Sequence, residues 1–296
     1  MRNIHNIIDE QKETELDSVL DQLYETLIYY DNINNNIDFI MEAVDESSNN
    51  KLNELKNKIK NIKPGDVGRM INKAKLWFED MIQRVIDHFM NGKAMIIKCG
   101  GKKKVEQYLR SCNVGVKLVL FKNINESVNE LNNLLNKIEN KFDIVYGTEE
   151  DLKKIIGIND KSELPELVSK LFFRTTKNAE VIRINQLDVN TIITNTWDGM
   201  RLKSCIEKSK NNILRDIKND TSSLHNNIQR TTPEEHKGTD LDSSRDVLKN
   251  GRIKVKYVSK ILSLAIKYAT QASLNCKAII TKAYSKYHNK YNRIND

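Results

Sequence analysis

Apolar residues recur every three or four positions along most of this chain, the period of amphipathic helices. Over residues 14–45 the series is Leu16, Leu20, Leu23, Leu27, Tyr30, Ile33, Ile37, Ile40 and Val44, with acids on the other faces. Asn32 to Asn36 weaken it, because Asn side chains compete for backbone hydrogen bonds. Residues 45–50 form a polar break, and 51–62 read as a polar connecting helix. Pro64 suits the first turn of a stronger helix, where its missing N–H would have no partner anyway. Val67, Met70, Ile71, Ala74, Trp77, Phe78, Met81, Ile82, Val85, Ile86, Phe89 and Met90 give that helix a broad apolar face. Asn91-Gly92 is its expected end. Glu79, Asp80 and Asp87 dilute the basic charge on its polar side, which favours core packing over a membrane surface.

The pattern changes over residues 94–187. Short β-rich runs at 94–98, 116–121, 143–146 and 181–184 alternate with helical stretches. Ile124, Val128, Leu131, Leu135 and Ile138 mark one helix, and 149–156 and 163–173 two more. This predicts a small α/β module of three or four strands, with the run at 94–98 open to a helical reading. Residues 187–228 return to helical spacing, with a kink or break expected at Gly199. The Pro- and Gly-containing stretch 229–250 has little to bury and reads as a mobile loop between antiparallel helices. Beyond it Val258, Leu262, Ala265, Ala269, Ala272, Cys276, Ile279 and Ala283 alternate in steps of four and three, the seam of a helix that packs closely on another.

The predicted fold is α+β and predominantly α-helical, with long amphipathic helices flanking the small module and a C-terminal antiparallel helical hairpin. The expected divisions are an acidic helical leader (1–46), a helical segment (47–92), the α/β module (93–187), a long helix (188–228), the loop (229–250) and a basic C-terminal helix (251–296).

Charge sharpens this picture. The net charge is +8, unevenly placed. Residues 1–50 hold twelve acids and two basic residues. Between Asp246 and Asp296 there is no acid, while the stretch 252–293 supplies ten positive charges at Arg252, Lys254, Lys256, Lys260, Lys267, Lys277, Lys282, Lys286, Lys290 and Arg293. A helix so charged repels itself unless an anion offsets it, with nucleic-acid phosphate bound without sequence readout as the favoured candidate and a simply solvated face as the alternative. Tyr257, Tyr268, Tyr284, Tyr287 and Tyr291 are interleaved with these lysines. They suit a helix–helix boundary better than base stacking.

Candidate chemistry is otherwise sparse. Cys99, Cys112, Cys205 and Cys276 form no CxxC pair, and the five histidines add no ligand spacing, so neither a metal nor a disulfide framework is expected. Unpaired cysteines suit a reducing compartment. The opening residues carry no apolar run of the kind a signal peptide needs, and no stretch is apolar enough to span a bilayer. Cys99-Gly100-Gly101-Lys102-Lys103-Lys104 lacks the spacing of a nucleotide-binding loop and reads as a turn with solvated lysines, although a helix starting near Lys102 would attract phosphate non-specifically. Glu149-Glu150-Asp151, after Thr148, is more simply a capped helix start than a catalytic acid cluster. No catalytic residue, no cofactor and no enzymatic function are expected.

The layout resembles internal virion proteins of large tailed bacteriophages. The likeness lies in the acidic helical leader, the amphipathic helix with Lys75-Leu76-Trp77-Phe78, the small α/β module, and a long Lys/Ala-rich helix closing with Ala283-Tyr284-Ser285-Lys286-Tyr287. The resemblance implies a structural protein made in the host cytoplasm and placed inside the phage head. Its partners would be capsid or scaffold protein, packaged DNA bound non-specifically, and further copies of itself. It also implies trimming by a prohead protease that cuts after Glu in an [Ile/Leu]-x-Glu context. Ile40-Met41-Glu42 followed by Ala43 fits, at the end of the acidic leader. Glu10, Glu25, Glu54, Glu126 and Glu166 fit the same short pattern, so position alone singles out Glu42. Loss of residues 1–42, ten acids and two basic residues, would raise the net charge from +8 to +16. The alternative from the same residues is a cytoplasmic, non-specific nucleic-acid-binding or coiled-coil adaptor protein.

Overall fold

The computed structural model describes residues 65–143, 146–174, 180–230 and 240–292, with the backbone alone for 65–70, 180, 220–230, 240–248 and 289–292. Among the described residues there are eight α-helices: α1 (Gly65–Lys98), α2 (Lys102–Ser111), α3 (Ile124–Lys141), α4 (Glu149–Ile156), α5 (Leu164–Phe172), α6 (Val189–Trp197), α7 (Met200–Arg230) and α8 (Asp240–Asn292). Strands β1 (Gly115–Leu118) and β2 (Glu180–Arg183) pair antiparallel, Gly115 opposite Arg183 and Leu118 opposite Glu180. The fold is therefore predominantly helical α+β, with α7 and α8 as the antiparallel hairpin.

The chain divides into two compact units. The first takes Met1–Phe78, Lys141–Ile155 and Lys210–Val258; the second takes Glu79–Asn140, Ile156–Ser209 and Ser259–Asp296. In the first, Ala74 and Phe78 of α1, Leu152 of α4, Ile213 and Ile217 of α7 and Val255 of α8 are buried. Two polar contacts pin α8 there. The Lys254 ammonium meets the Asp216 carboxylate at 2.9 Å, and the Tyr257 hydroxyl donates to Glu149 at 2.7 Å. Glu149 opens α4. Thr148 and Asp151 close its first turn reciprocally, because Asp151 N donates to Thr148 Oγ1 at 3.2 Å while Thr148 N donates back to the carboxylate at 3.1 Å. That is a capping box, the reading expected of these acids.

The second unit holds the larger core. Met81, Ile82, Val85, Phe89 and Ile96 lie on one face of α1, and all are buried. Within this unit the α8 seam is buried from Leu262 to Ala283, with Leu262, Ala265, Cys276 and Ala283 fully so. Small side chains at Ala265, Ala269 and Ala272 allow a neighbouring backbone to come near, at little entropic cost on burial. Asn195 of α6 is a buried polar anchor. It donates to the Lys122 carbonyl at 2.9 Å and accepts from Ile124 N at 2.7 Å, which completes the start of α3.

The structure corrects several sequence expectations. The helix that Asn91-Gly92 was expected to end runs on to Lys98, so residues 94–98 are helical and not a strand. Gly92 serves packing instead: a Cβ there would overlap the Thr196 carbonyl oxygen. The helix stops at Gly100 and Gly101, with φ of 91° and 87°, where their N–H groups return to Ile97 and Ile96 carbonyls at 2.9 Å. Two left-handed residues in succession favour glycine strongly. The module contains two strands among the described residues where three or four were expected. Asp143 and Tyr146 lie outside any strand, and 144–145 fall outside the described residues. A bridge between Phe121 and Phe173 extends the ribbon.

The break expected at Gly199 is present, between α6 and α7. A Cβ at Gly199 would collide with the Phe89 ring, so ring packing as well as helix propensity accounts for the glycine. The expected loop 229–250 is shorter than predicted: α7 extends to Arg230 and α8 begins at Asp240, leaving 231–239 outside the described residues. The leader, 1–46, with Glu42 and Ala43, also lies outside them.

Candidate polyanion-binding surface

The ten basic residues predicted at the C-terminal end, nine of them on α8, separate into distinct environments. Lys254 is buried, its side chain 6% exposed against an Asp216 side chain 13% exposed. It is a structural ion pair and is withdrawn from any external partner. Arg252, Lys256 and Lys260 are half-buried, and none is without an interaction partner. Lys277 is half-buried and donates to the His88 carbonyl at 2.9 Å. Lys267, Lys282 and Lys286 are exposed. Lys282 also reaches the Gly115 carbonyl at 3.2 Å. The Lys290 side chain and Arg293 lie outside the described residues.

Lys277 also stands 3.4 Å from His88 Nε2. An ammonium has no lone pair, so the ring nitrogen must be the unprotonated acceptor. Burial, reinforced by the Lys277 charge, lowers the His88 pKa to about 4. Burial also lowers that of Lys277. This pair holds α8 against α1 and is poorly placed to take up an outside anion.

The tyrosines are divided in the same way. Tyr257 is buried on Glu149 and Tyr268 packs edge-on against Phe173 at 6.0 Å. Tyr284 and Tyr287 converge with His288 on Tyr108 of α2, at centroid distances of 5.6, 4.6 and 5.9 Å. These rings occupy one another at a helix–helix boundary, as expected of amphipathic tyrosines.

Nothing in the sequence pattern links α2 with the end of α8. Lys102, Lys103 and Lys104 begin α2, whose first turn contains no acid and whose Gly101 cap offers no side chain. Lys102 lies over the Trp197 ring, 4.2 Å from its centroid. It lines a groove of about 410 Å³ with Glu106, Arg110, Asp188, Asn190 and Thr194. Glu106 pairs with Arg110 at 2.8 Å. Charges of both signs meet there, so the groove is less suited to an anion than the opposite side of α2.

Cys112, Cys205 and Cys276 are buried, Cys99 is half-buried, and all four are free thiols. Burial pushes the Cys205 thiol up to about 12 and Cys276 higher still, so neither supplies a thiolate near neutrality. Among the described residues no group of His, Cys, Asp and Glu could hold a metal ion, and no helix is long and apolar enough to cross a membrane. No family model, curated protein or solved structure matches this chain.

Proposed function

We propose that this chain is a helical structural protein that binds nucleic-acid phosphate without reading sequence, placed inside a tailed-phage head beside capsid or scaffold protein and packaged DNA. The observation that carries the binding is the exposure of Lys267, Lys282 and Lys286 on a helix that has no acid between Asp246 and Asp296. Uncompensated lysines on a rigid helix attract a phosphate backbone through counterion release, and that attraction weakens as salt rises. The placement in a virion rests on the layout described above. In this reading the acidic leader shields the basic end during assembly, and cleavage after Glu42 removes ten acids before DNA fills the head.

Two experiments test the reading. The intact chain titrated with duplex DNA over a salt series should bind at low salt, with affinity falling linearly on a log–log plot. No binding at low salt would reject the polyanion claim. Because the α8 seam is buried in the folded chain, the intact protein is the proper reagent, not an isolated helix. Mass spectrometry of purified particles should find the chain starting at Ala43. Its absence from particles would reject the virion placement, and an intact Met1 end would reject the cleavage.

A further inference from the structure

We infer that the phosphate-binding surface is composite, with Lys117 of β1 and Arg183 of β2 joining Lys282 of α8 in one face that contacts the backbone of duplex DNA. The inference rests on the polyanion reading above and extends it from α8 to the ribbon.

Lys282 fixes the meeting point. Its ammonium donates to the Gly115 carbonyl at 3.2 Å. Gly115 stands opposite Arg183 in the ribbon, and Lys117 stands opposite Val181. The bond from Ile184 N to the Val114 carbonyl, at 3.0 Å, marks Val114 and Ile184 as a hydrogen-bonded pair. Pair types alternate along an antiparallel ladder, so Gly115 and Arg183 form a non-hydrogen-bonded pair with Cα atoms about 4.5 Å apart. The Gly115 carbonyl therefore points away from β2, and Lys282 meets it at the outer edge of β1. These contacts put the Lys282 ammonium within roughly 10 Å of the Arg183 Cα. Lys117 is two residues along β1 from Gly115, about 7 Å away.

Side chains alternate across a strand, so Lys117, Val181 and Arg183 share one face of the ribbon. A Cβ at Gly115 would lie 3.3 Å from the Val181 side chain, as expected on that face. Lys117, Val181 and Arg183 are all exposed, Val181 by 74%. The other face holds Val116, Leu118 and Ile182, which are half-buried or buried. Among the described residues no carboxylate pairs with Lys117, Arg183 or Lys282. Glu180, the acid of the ribbon, holds the register position of Leu118 and not that of Lys117 or Arg183. The ribbon carries no aromatic ring. It offers phosphate contacts and no platform for unpaired bases, which is why the partner is a duplex.

The test compares intact-chain variants binding one arbitrary duplex over a rising salt series, with circular dichroism confirming the fold of each. K117Q and R183Q should each weaken binding about threefold at low salt and reduce the salt slope by about one. R183K, which keeps the charge, should retain the wild-type slope. K137Q, which removes an exposed lysine of α3, should leave the slope unchanged. If K117Q and R183Q bind like wild type while K282Q is weakened, α8 acts alone and the composite surface is wrong, although the polyanion reading stands. A loss in R183K equal to that in R183Q would make Arg183 a residue of the fold and overturn its place in the surface. An equal loss in K137Q would also overturn the inference, by showing a diffuse field and not a face. Stronger competition by polyglutamate than by duplex of equal charge would make the face a dock for acidic protein and reject the duplex as its partner. Failure of the wild type to bind at low salt would reject the polyanion reading itself.

Discussion

Lys254 and Lys286 lie on the same helix, about nine turns apart, and their surroundings differ in almost every physical respect. Lys254 is buried against Asp216, on a stretch where Arg252, Lys256 and Lys260 are also engaged. Lys286 is exposed beside an aromatic cluster that holds α8 on α2. Inside the protein an ion pair must offset the loss of hydration, so the charge is committed to its partner. In water the ammonium keeps its hydration and remains available to a phosphate. The same residue type in one acid-free run is committed to a buried ion pair at one end and stays an external charge at the other. Burial makes the difference.

The largest effect should come from breaking the buried pair. Asp216→Ala leaves the Lys254 charge buried without its carboxylate and should cost about 3 kcal/mol in chemical denaturation. The double replacement D216L/K254M should recover most of that loss, since an apolar pair of similar volume has no desolvation penalty. A single Asp216→Ala change that left stability intact would remove the contrast. Next in size is Gly92→Ala, which forces a methyl group onto the Thr196 carbonyl and should cost roughly 2 kcal/mol, although the same change in an open helix would stabilise it.

A smaller effect concerns His88. Its pKa is about 4 in the folded chain and near 6.5 when unfolded. The unfolded chain therefore binds the proton first as pH falls, and stability is fully present above about 6.5 and declines between there and about 4. One pH unit below the ordinary histidine value the loss should be about 1.4 kcal/mol, and His88→Gln should flatten that part of the stability profile. Smallest of all, Lys286→Gln should change stability by less than about 0.5 kcal/mol.

Much of this contrast was hidden in the sequence, while the packing seam was legible there. Every residue of the series from Val258 to Ala283 is buried, because helical period and small side chains are local properties. The same holds for the capping box of Thr148 and Asp151 and for the break at Gly199. Partners distant in the chain were not legible. Lys254 looked like its neighbours because Asp216 is 38 residues away. Gly92 resembled a helix stop, and its true reason is a carbonyl on α6. Ile96 and Ile97 have β-forming side chains, yet both are helical: Ile96 continues the buried face from Phe89, while Ile97 is exposed.

The most direct measurement is the duplex-DNA salt slope of the folded K282Q/K286Q variant beside that of K254Q, each with its unfolding free energy. K282Q/K286Q should lose about two units of slope and keep its stability, whereas K254Q should keep the slope and lose stability by kilocalories per mole. If K254Q lost as much slope as the exposed pair with its stability unchanged, the early turns of α8 would also face the DNA. The division between structural and binding lysines would then be wrong.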